Sequence, residues 1–291
     1  MVLLSGPVSG TVLLAVPIGL LLFASSGRIW PMLAGAALLG LVIALPRGDP
    51  DGIASAERGW ALLAGAWLVL LTALAPRWGV LRRALLATVG TAATAAAVLA
   101  VTGGWPALEA ALDRRLHRTM AAAGALLRQG GGEIAAREAV DAALIDAARL
   151  QALIFPAALG LATLAALGLA AALHARGSNR RGFGRFREFR FGDGLVWVMI
   201  AGLAAVVLPL GAVVSRLGAN AVAFMAGLYA LRGLAVVVAL WAGAGPIVWV
   251  AGAVIGVLLY PLAVPATVMI GLGDTWLDLR ARARAARAKR E

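Results

Sequence analysis

The sequence predicts an all-α fold, a polytopic bundle of about eight transmembrane helices with one helical extracytoplasmic insert. Three observations predict it. Hydrophobic residues make up 62% of the 291 positions and the mean hydropathy is +0.91, more apolar side chain than a soluble domain of this length can bury. The apolar residues fall in runs of roughly 20, the length that crosses a hydrocarbon core as a helix. The basic residues, all arginine except Lys289, lie mostly between those runs.

In chain order the runs cover about residues 8–25, 29–45, 59–75, 84–102, 152–173, 195–214, 219–241 and 245–273, each near the length of a span. The first ends in small residues, Ala24, Ser25 and Ser26, but no basic residue precedes Arg28, so it reads as a retained helix rather than a cleaved signal. The fourth and fifth are crowded with alanine and glycine. Small residues let helix backbones approach closely in lipid; high-GC codon bias explains the composition equally well. The eighth is the longest and contains Pro261 and Pro265, which lack a backbone donor and clash with the preceding turn, so a break is expected there.

The insert, residues 103–151, has another pattern. Leu108, Leu112 and Leu116 recur every four residues with charges opposite, and a second helix is expected from about Glu133, after Gly130, Gly131 and Gly132. The spacing makes this an amphipathic helical hairpin lying on the membrane. Its acids and arginines balance (Glu109, Asp113, Glu133, Glu138, Asp141, Asp146; Arg114, Arg115, Arg118, Arg128, Arg137, Arg149), which suits the outer side. Four parts follow: N-terminal membrane helices 1–102, the insert 103–151, C-terminal membrane helices 152–273 including a basic-aromatic loop 174–194, and a basic tail 274–291.

Orientation follows from where the arginines lie. With the loop after the first run inside, the inner loops hold Arg28, Arg77, Arg82, Arg83, Arg176, Arg180, Arg181, Arg185, Arg187 and Arg190, and the outer ones hold Arg47, Arg58 and Arg216. Three plain crossings after residue 194 then leave the tail, with Arg280, Arg282, Arg284, Arg287, Lys289 and Arg290, outside. That violates the same rule. A proline-broken eighth segment that folds back resolves the parity, and broken backbone at membrane depth requires protein or water around it. The expected setting is the bacterial inner membrane.

Several function classes drop out. There is no cysteine and only two histidines, His117 and His174, so neither a thiolate nor a His-built metal site is expected, and no cofactor motif is present. The net charge of +12 fits anionic headgroups of the bilayer rather than nucleic acid. In the inner loop, Phe183, Phe186, Phe189 and Phe191 alternate with Arg185, Arg187 and Arg190, ending at Trp197. This is an interfacial pattern, and Phe186, Arg187, Phe189 and Arg190 form a candidate docking face for headgroups or for a membrane or cytoplasmic protein partner.

Arg232 stands inside the seventh run, where an unpaired charge costs about 2.5 kcal/mol or more, so it should face a cavity or an acid. With Tyr229, Asn220 and Tyr260 it makes a candidate ligand set, and Asp274 is a candidate partner if the eighth segment dips inward. Gly271-Leu272-Gly273-Asp274 also fits the GxGD pattern of intramembrane aspartyl proteases. That chemistry needs a second carboxylate sharing a proton, and no other acid lies within an apolar run. The bland reading of the closing stretch is a joint: Thr275 and Asp278 as a capping arrangement that starts a new helix near Asp274, Asp278 pairing with Arg282, and Trp276 and Arg280 at the interface. On balance no catalytic residue is assigned, and a non-enzymatic ligand- or partner-binding protein is expected, with an aspartyl hydrolase or a membrane anchor for a cytoplasmic complex as alternatives.

FREFRF (186–191) before a membrane helix, NAVAFMAGLYALRGLAVVVAL (220–240) and GLGDTWLDLR (271–280) together resemble the YybS-like bacterial membrane proteins, a family of unknown function. The order of a helix preceded by Arg82 and Arg83 and then a long outer insert is similar too. The resemblance covers roughly the last two-thirds of the chain. It departs at Gly192-Asp193-Gly194, where a proline is common, and at Arg232, where a glutamine is common. It implies no established activity; the family's weak similarity to substrate-binding subunits of vitamin importers implies small-molecule transport by analogy alone.

Overall fold

The computed structural model describes residues 10–24, 29–44, 53–128, 134–177, 189–241 and 245–288. Among them the secondary structure is helical throughout, with no strand, and the protein is an all-α membrane bundle. The chain divides into two compact units, Met1–Gly182 and Phe183–Glu291.

The first unit contains α1 (Gly10–Ala24), α2 (Ile29–Ala44), α3 (Ile53–Leu74), α4 (Val80–Thr102), α5 (Trp105–Arg128) and α6 (Ile134–Gly177). Helix α1 packs against α2, α3 and α6 and buries Val12, Leu13, Val16 and Leu21. Small residues set the distances, because a Cβ added to Gly35 of α2 would come within 2.5 Å of the Gly19 carbonyl of α1. Helix α4 buries Ala84, Ala87, Thr88 and Thr91, a stripe at helical spacing of small side chains. The alanine-rich composition therefore serves packing here, whatever the codon usage.

Polar groups inside this unit find partners across helices or along their own. Trp60 Nε1 donates to Thr163 Oγ1 at 2.9 Å, and Trp67 Nε1 donates to Thr94 Oγ1 at 3.1 Å. The threonine hydroxyls donate in turn to carbonyls four residues back, as Thr163 does to Leu159 at 2.7 Å. In a medium without water such bonding is what lets polar side chains be buried. At the polar edge, Arg115 of α5 pairs with Glu57 of α3 at 2.6 Å.

Each of the eight apolar runs contains a helix, but they are not equal; the sixth run, drawn to residue 214, has its helix end at Val207 and the next begin at Ala212. Among the described residues four helices are long and apolar enough to cross a membrane, five if the bent pair α9–α10 counts as one span. The apolar stretches Thr11–Ala24, Ile29–Val42 and Asp193–Val207 are shorter, about 21–23 Å at 1.5 Å per residue against roughly 30 Å of hydrocarbon. The hairpin insert is also corrected in one respect. Its second arm does not end before the fifth run; both belong to the single 44-residue α6. No glycine or proline interrupts the join, since Pro156 lies within the apolar part and the helix continues through it. The glycine hinge 130–132 lies outside the described residues.

The second unit begins at Phe189 among the described residues. A 3-10 turn, Asp193–Leu195, leads into α7 (Val196–Val207), followed by α8 (Ala212–Leu240), α9 (Pro246–Leu258), α10 (Tyr260–Leu277) and α11 (Leu279–Ala288). Helix α8 is the hub, against which α7, α10 and α11 all pack. The expected break in the eighth run is present: α9 and α10 meet at 110° around Leu259, one residue before Tyr260 and two before Pro261. Pro261 sits in the first turn of α10, where its missing donor costs nothing, and Pro265 is accommodated further along the same helix.

The closing stretch differs from expectation. Helix α10 does not end before Asp274 but runs to Leu277, and the new helix starts at Leu279. Asp278, with φ of 42°, is a left-handed cap at the joint, a conformation aspartate tolerates better than most non-glycine residues. Its carbonyl accepts from the Ala281 and Arg282 amides, but its carboxylate pairs with Arg190 rather than with Arg282.

Candidate functional site

The crossing of α8 and α10 decides the site. Gly233 and Gly271 face each other with no room for a side chain on either. A Cβ on Gly233 would stand 1.8 Å from the Thr267 carbonyl, and one on Gly271 would stand 2.0 Å from the Tyr229 carbonyl. The two backbones are therefore in contact, as small-residue crossings allow. Arg232 adjoins Gly233, and Asp274 follows Gly271 by three residues, so both charges are carried to the crossing. The GLGD stretch thus contains one packing glycine and one buried acid; a Cβ on Gly273 would meet nothing within 4 Å.

At the crossing Arg232 Nε donates to Asp274 Oδ2 at 3.1 Å, and its Nη2 donates to the Asp274 carbonyl at 3.4 Å. Arg280, just beyond the joint, donates to the same carboxylate from Nη2 to Oδ2 at 2.7 Å and from Nε to Oδ1 at 3.4 Å. Its Nη1 donates to the Phe189 carbonyl at 3.0 Å. On the other side Arg232 Nη1 donates to Asp193 Oδ1 at 3.1 Å. Arg232, Asp274 and Arg280 are buried; Asp193 is exposed.

Aromatic rings close one flank. Phe191 lies 5.4 Å from the Arg232 guanidinium carbon and meets Tyr229 edge to face at 5.1 Å. Phe189 meets Phe191 in the same way at 6.2 Å. A guanidinium against an aromatic face gains further electrostatic stabilisation when desolvated. The Tyr229 hydroxyl is buried beside Thr275 without a bond of good geometry; the Thr275 hydroxyl is turned to the Gly271 carbonyl at 3.4 Å. Outside this core, Arg190 pairs with Asp278, both about half exposed.

The structure thus brings together Arg232, Tyr229, Phe189, Arg190, Asp274, Asp278 and Arg280 from the sequence-derived candidates. It does not bring Asn220 or Tyr260. Asn220 lies twelve residues before Arg232 on α8, about 18 Å along the axis, and its amide donates to the Arg216 carbonyl at 2.9 Å. Tyr260 lies exposed at the α9–α10 break. Trp276 is exposed as an interfacial ring would be, whereas Arg280, expected at headgroups, is turned inward onto Asp274. Phe186 and Arg187 lie outside the described residues. From sequence Phe191 read as part of the interfacial pattern and Asp193 as an acid at a helix mouth; neither was assigned to Arg232, and the hint was an acid between two glycines directly after the aromatic-basic stretch.

No match is found among curated proteins or among solved structures. A family model does match, over residues 68–275, which include α4 to α9 entire, Arg232 and the GLGD stretch. With most of its length and both sides of the helix crossing inside that match, the chain belongs to the family described as Predicted membrane protein (DUF2232).

Proposed function

We propose that this is a multi-pass protein of the bacterial inner membrane that acts by binding rather than by catalysis, its second unit holding a small ligand or a partner subunit as a transporter component does. The observation that carries this reading is the engagement of Arg232 by Asp274 and Asp193. Charge inside an apolar helix is costly and is kept for function. Both Asp274 oxygens accept from guanidiniums, so the carboxylate is occupied by cations rather than set against a second acid to share a proton. The test is purification from membranes with identification of co-purifying proteins and small molecules, for wild type and Arg232→Ala. Retention by wild type and loss in the variant is the expected result; retention of nothing by the wild type sinks the reading.

One observation favours a hydrolase instead. Asp193 lies within 3.1 Å of the guanidinium that also holds Asp274, which supplies a second acid near the GLGD stretch. That reading requires Asp274→Asn to abolish cleavage of a membrane substrate while the fold is kept. A third reading, an anchor for a cytoplasmic complex, draws on the close approach of Phe189 and Arg190 to Asp278 and Arg280; it places the mutant phenotype in the loop 174–194.

A further inference from the structure

The two carboxylates that engage Arg232 are held very differently. Asp274 has no exposed side-chain surface and divides its charge between two guanidiniums. Asp193 is 68% exposed although its arginine partner is 3% exposed. It sits on a single 3-10 turn between Gly192 and Gly194, and a Cβ on either glycine would meet nothing within 4 Å. Among the described residues nothing packs this turn in place from those sides. A carboxylate that stands mostly in solvent is more screened than one buried between two guanidiniums, so of the two acids Asp193 is the one that another anion can replace.

The surroundings indicate which anion reaches it. Trp197, four residues beyond Asp193, and Trp276, two beyond Asp274, are 69% and 67% exposed, and exposed tryptophans mark the headgroup level of a membrane. Arg190 stands half exposed nearby in the chain, and arginine is the side chain best matched to phosphate. We infer that the Nη1 edge of Arg232 is a phosphate site, closed by Asp193 and opened when the Gly192–Gly194 turn moves aside. The phosphate belongs to an anionic lipid headgroup or to a soluble metabolite. This rests on reading the second unit as a binding module and names the class of its ligand.

The experiment uses the full chain in a neutral maltoside detergent, following the unfolding midpoint by tryptophan fluorescence. Inorganic phosphate is titrated against chloride at equal ionic strength, and phosphatidylglycerol is compared with phosphatidylcholine. A saturable rise in the midpoint is expected, reached at lower concentration in Asp193→Asn because the internal competitor is gone. A response to inorganic phosphate identifies a soluble ligand, and a response to phosphatidylglycerol alone identifies lipid; either supports the site. Arg232→Gln should lose the response, and if that variant does not fold, Arg232→Lys should weaken it at least tenfold, a loss of about 1.4 kcal/mol. No saturable response in wild type and Asp193→Asn, or an unchanged one in the Arg232 variant that folds, overturns the inference. Such a failure leaves co-purification of a partner protein intact, and so is distinct from failure of the binding reading itself.

Discussion

Arg280 Nη1 donates to the carbonyl of Phe189 at 3.0 Å, joining residues 91 positions apart. Phe189 lies in the basic-aromatic loop and Arg280 in the basic tail, so this bond ties loop and tail together within the second unit. Counting arginines along the chain left the tail on the wrong side of the membrane; a segment that folds back at the 110° bend between α9 and α10, rather than crossing as one broken span, would return the tail to the side of the loop.

Reporters inserted within residues 178–188 and fused after Glu291 are therefore expected to score on the same side, and by the positive-inside rule that side is cytoplasmic. Opposite scores for the two fusions would sink the re-entrant reading of α9–α10.

The buried and the exposed ion pairs should separate cleanly in stability. Removing one partner of a buried pair costs about 3–5 kcal/mol because a charge is left uncompensated, so Asp274→Asn and Arg232→Ala should lower the unfolding midpoint strongly. Arg190→Gln should cost no more than about 1 kcal/mol, its pair with Asp278 being half in solvent. Equal effects of Asp274→Asn and Arg190→Gln in thermal unfolding would contradict the burial.

Within GLGD the two glycines should behave oppositely. Gly271→Ala must push α10 off α8, since its Cβ would lie 2.0 Å from a backbone oxygen, and overpacking of this kind costs about 1–3 kcal/mol or more. Gly273→Ala has open space and should be neutral or stabilising by about 0.5–1 kcal/mol through helix propensity. A catalytic motif that needed both glycines would lose activity in both.

In the first unit, the bond from Trp60 to Thr163 links α3 to α6 at 2.9 Å. A double-mutant cycle of Trp60→Phe and Thr163→Val should give a coupling of about 0.6–2 kcal/mol, the range for interhelical hydrogen bonds in membranes. Zero coupling would mean the two side chains do not meet in the folded protein.

How much of this was legible beforehand follows from which interactions are local. Run length alone determined the helical membrane class, because an apolar segment of about 20 residues has few other fates. Pro261 marked the break to within a turn, two residues from Leu259, since proline acts on its own backbone; Pro265 lies inside α10 and breaks nothing. The hydropathy of Arg232's surroundings identified it as a residue needing an acid, and Asp274 was among the partners named. Amphipathic spacing found α5, but the continuous α6 was not visible, because the change from polar to apolar residues resembles a boundary while the backbone helix does not register it.

Only the tertiary structure decided which acids meet Arg232 and which residues the tail holds. Thr275 and Asp278 read as a helix start, yet α10 runs on to Leu277 because packing of Gly271 against Tyr229 and burial of Asp274 favour continuing the helix over a local cap. Arg280 read as a headgroup contact, yet it points inward, since a desolvated Asp274 offers a guanidinium more than water or lipid does. Asp193 and Phe191, some forty residues from Arg232 in sequence, reach it only because α7 and α10 dock on the same hub helix. Propensity, hydropathy and charge are properties of a segment and are written in its residues; the pairing of charges across 39 and 42 positions depends on where glycine-sized gaps let helices cross, and that is settled by packing.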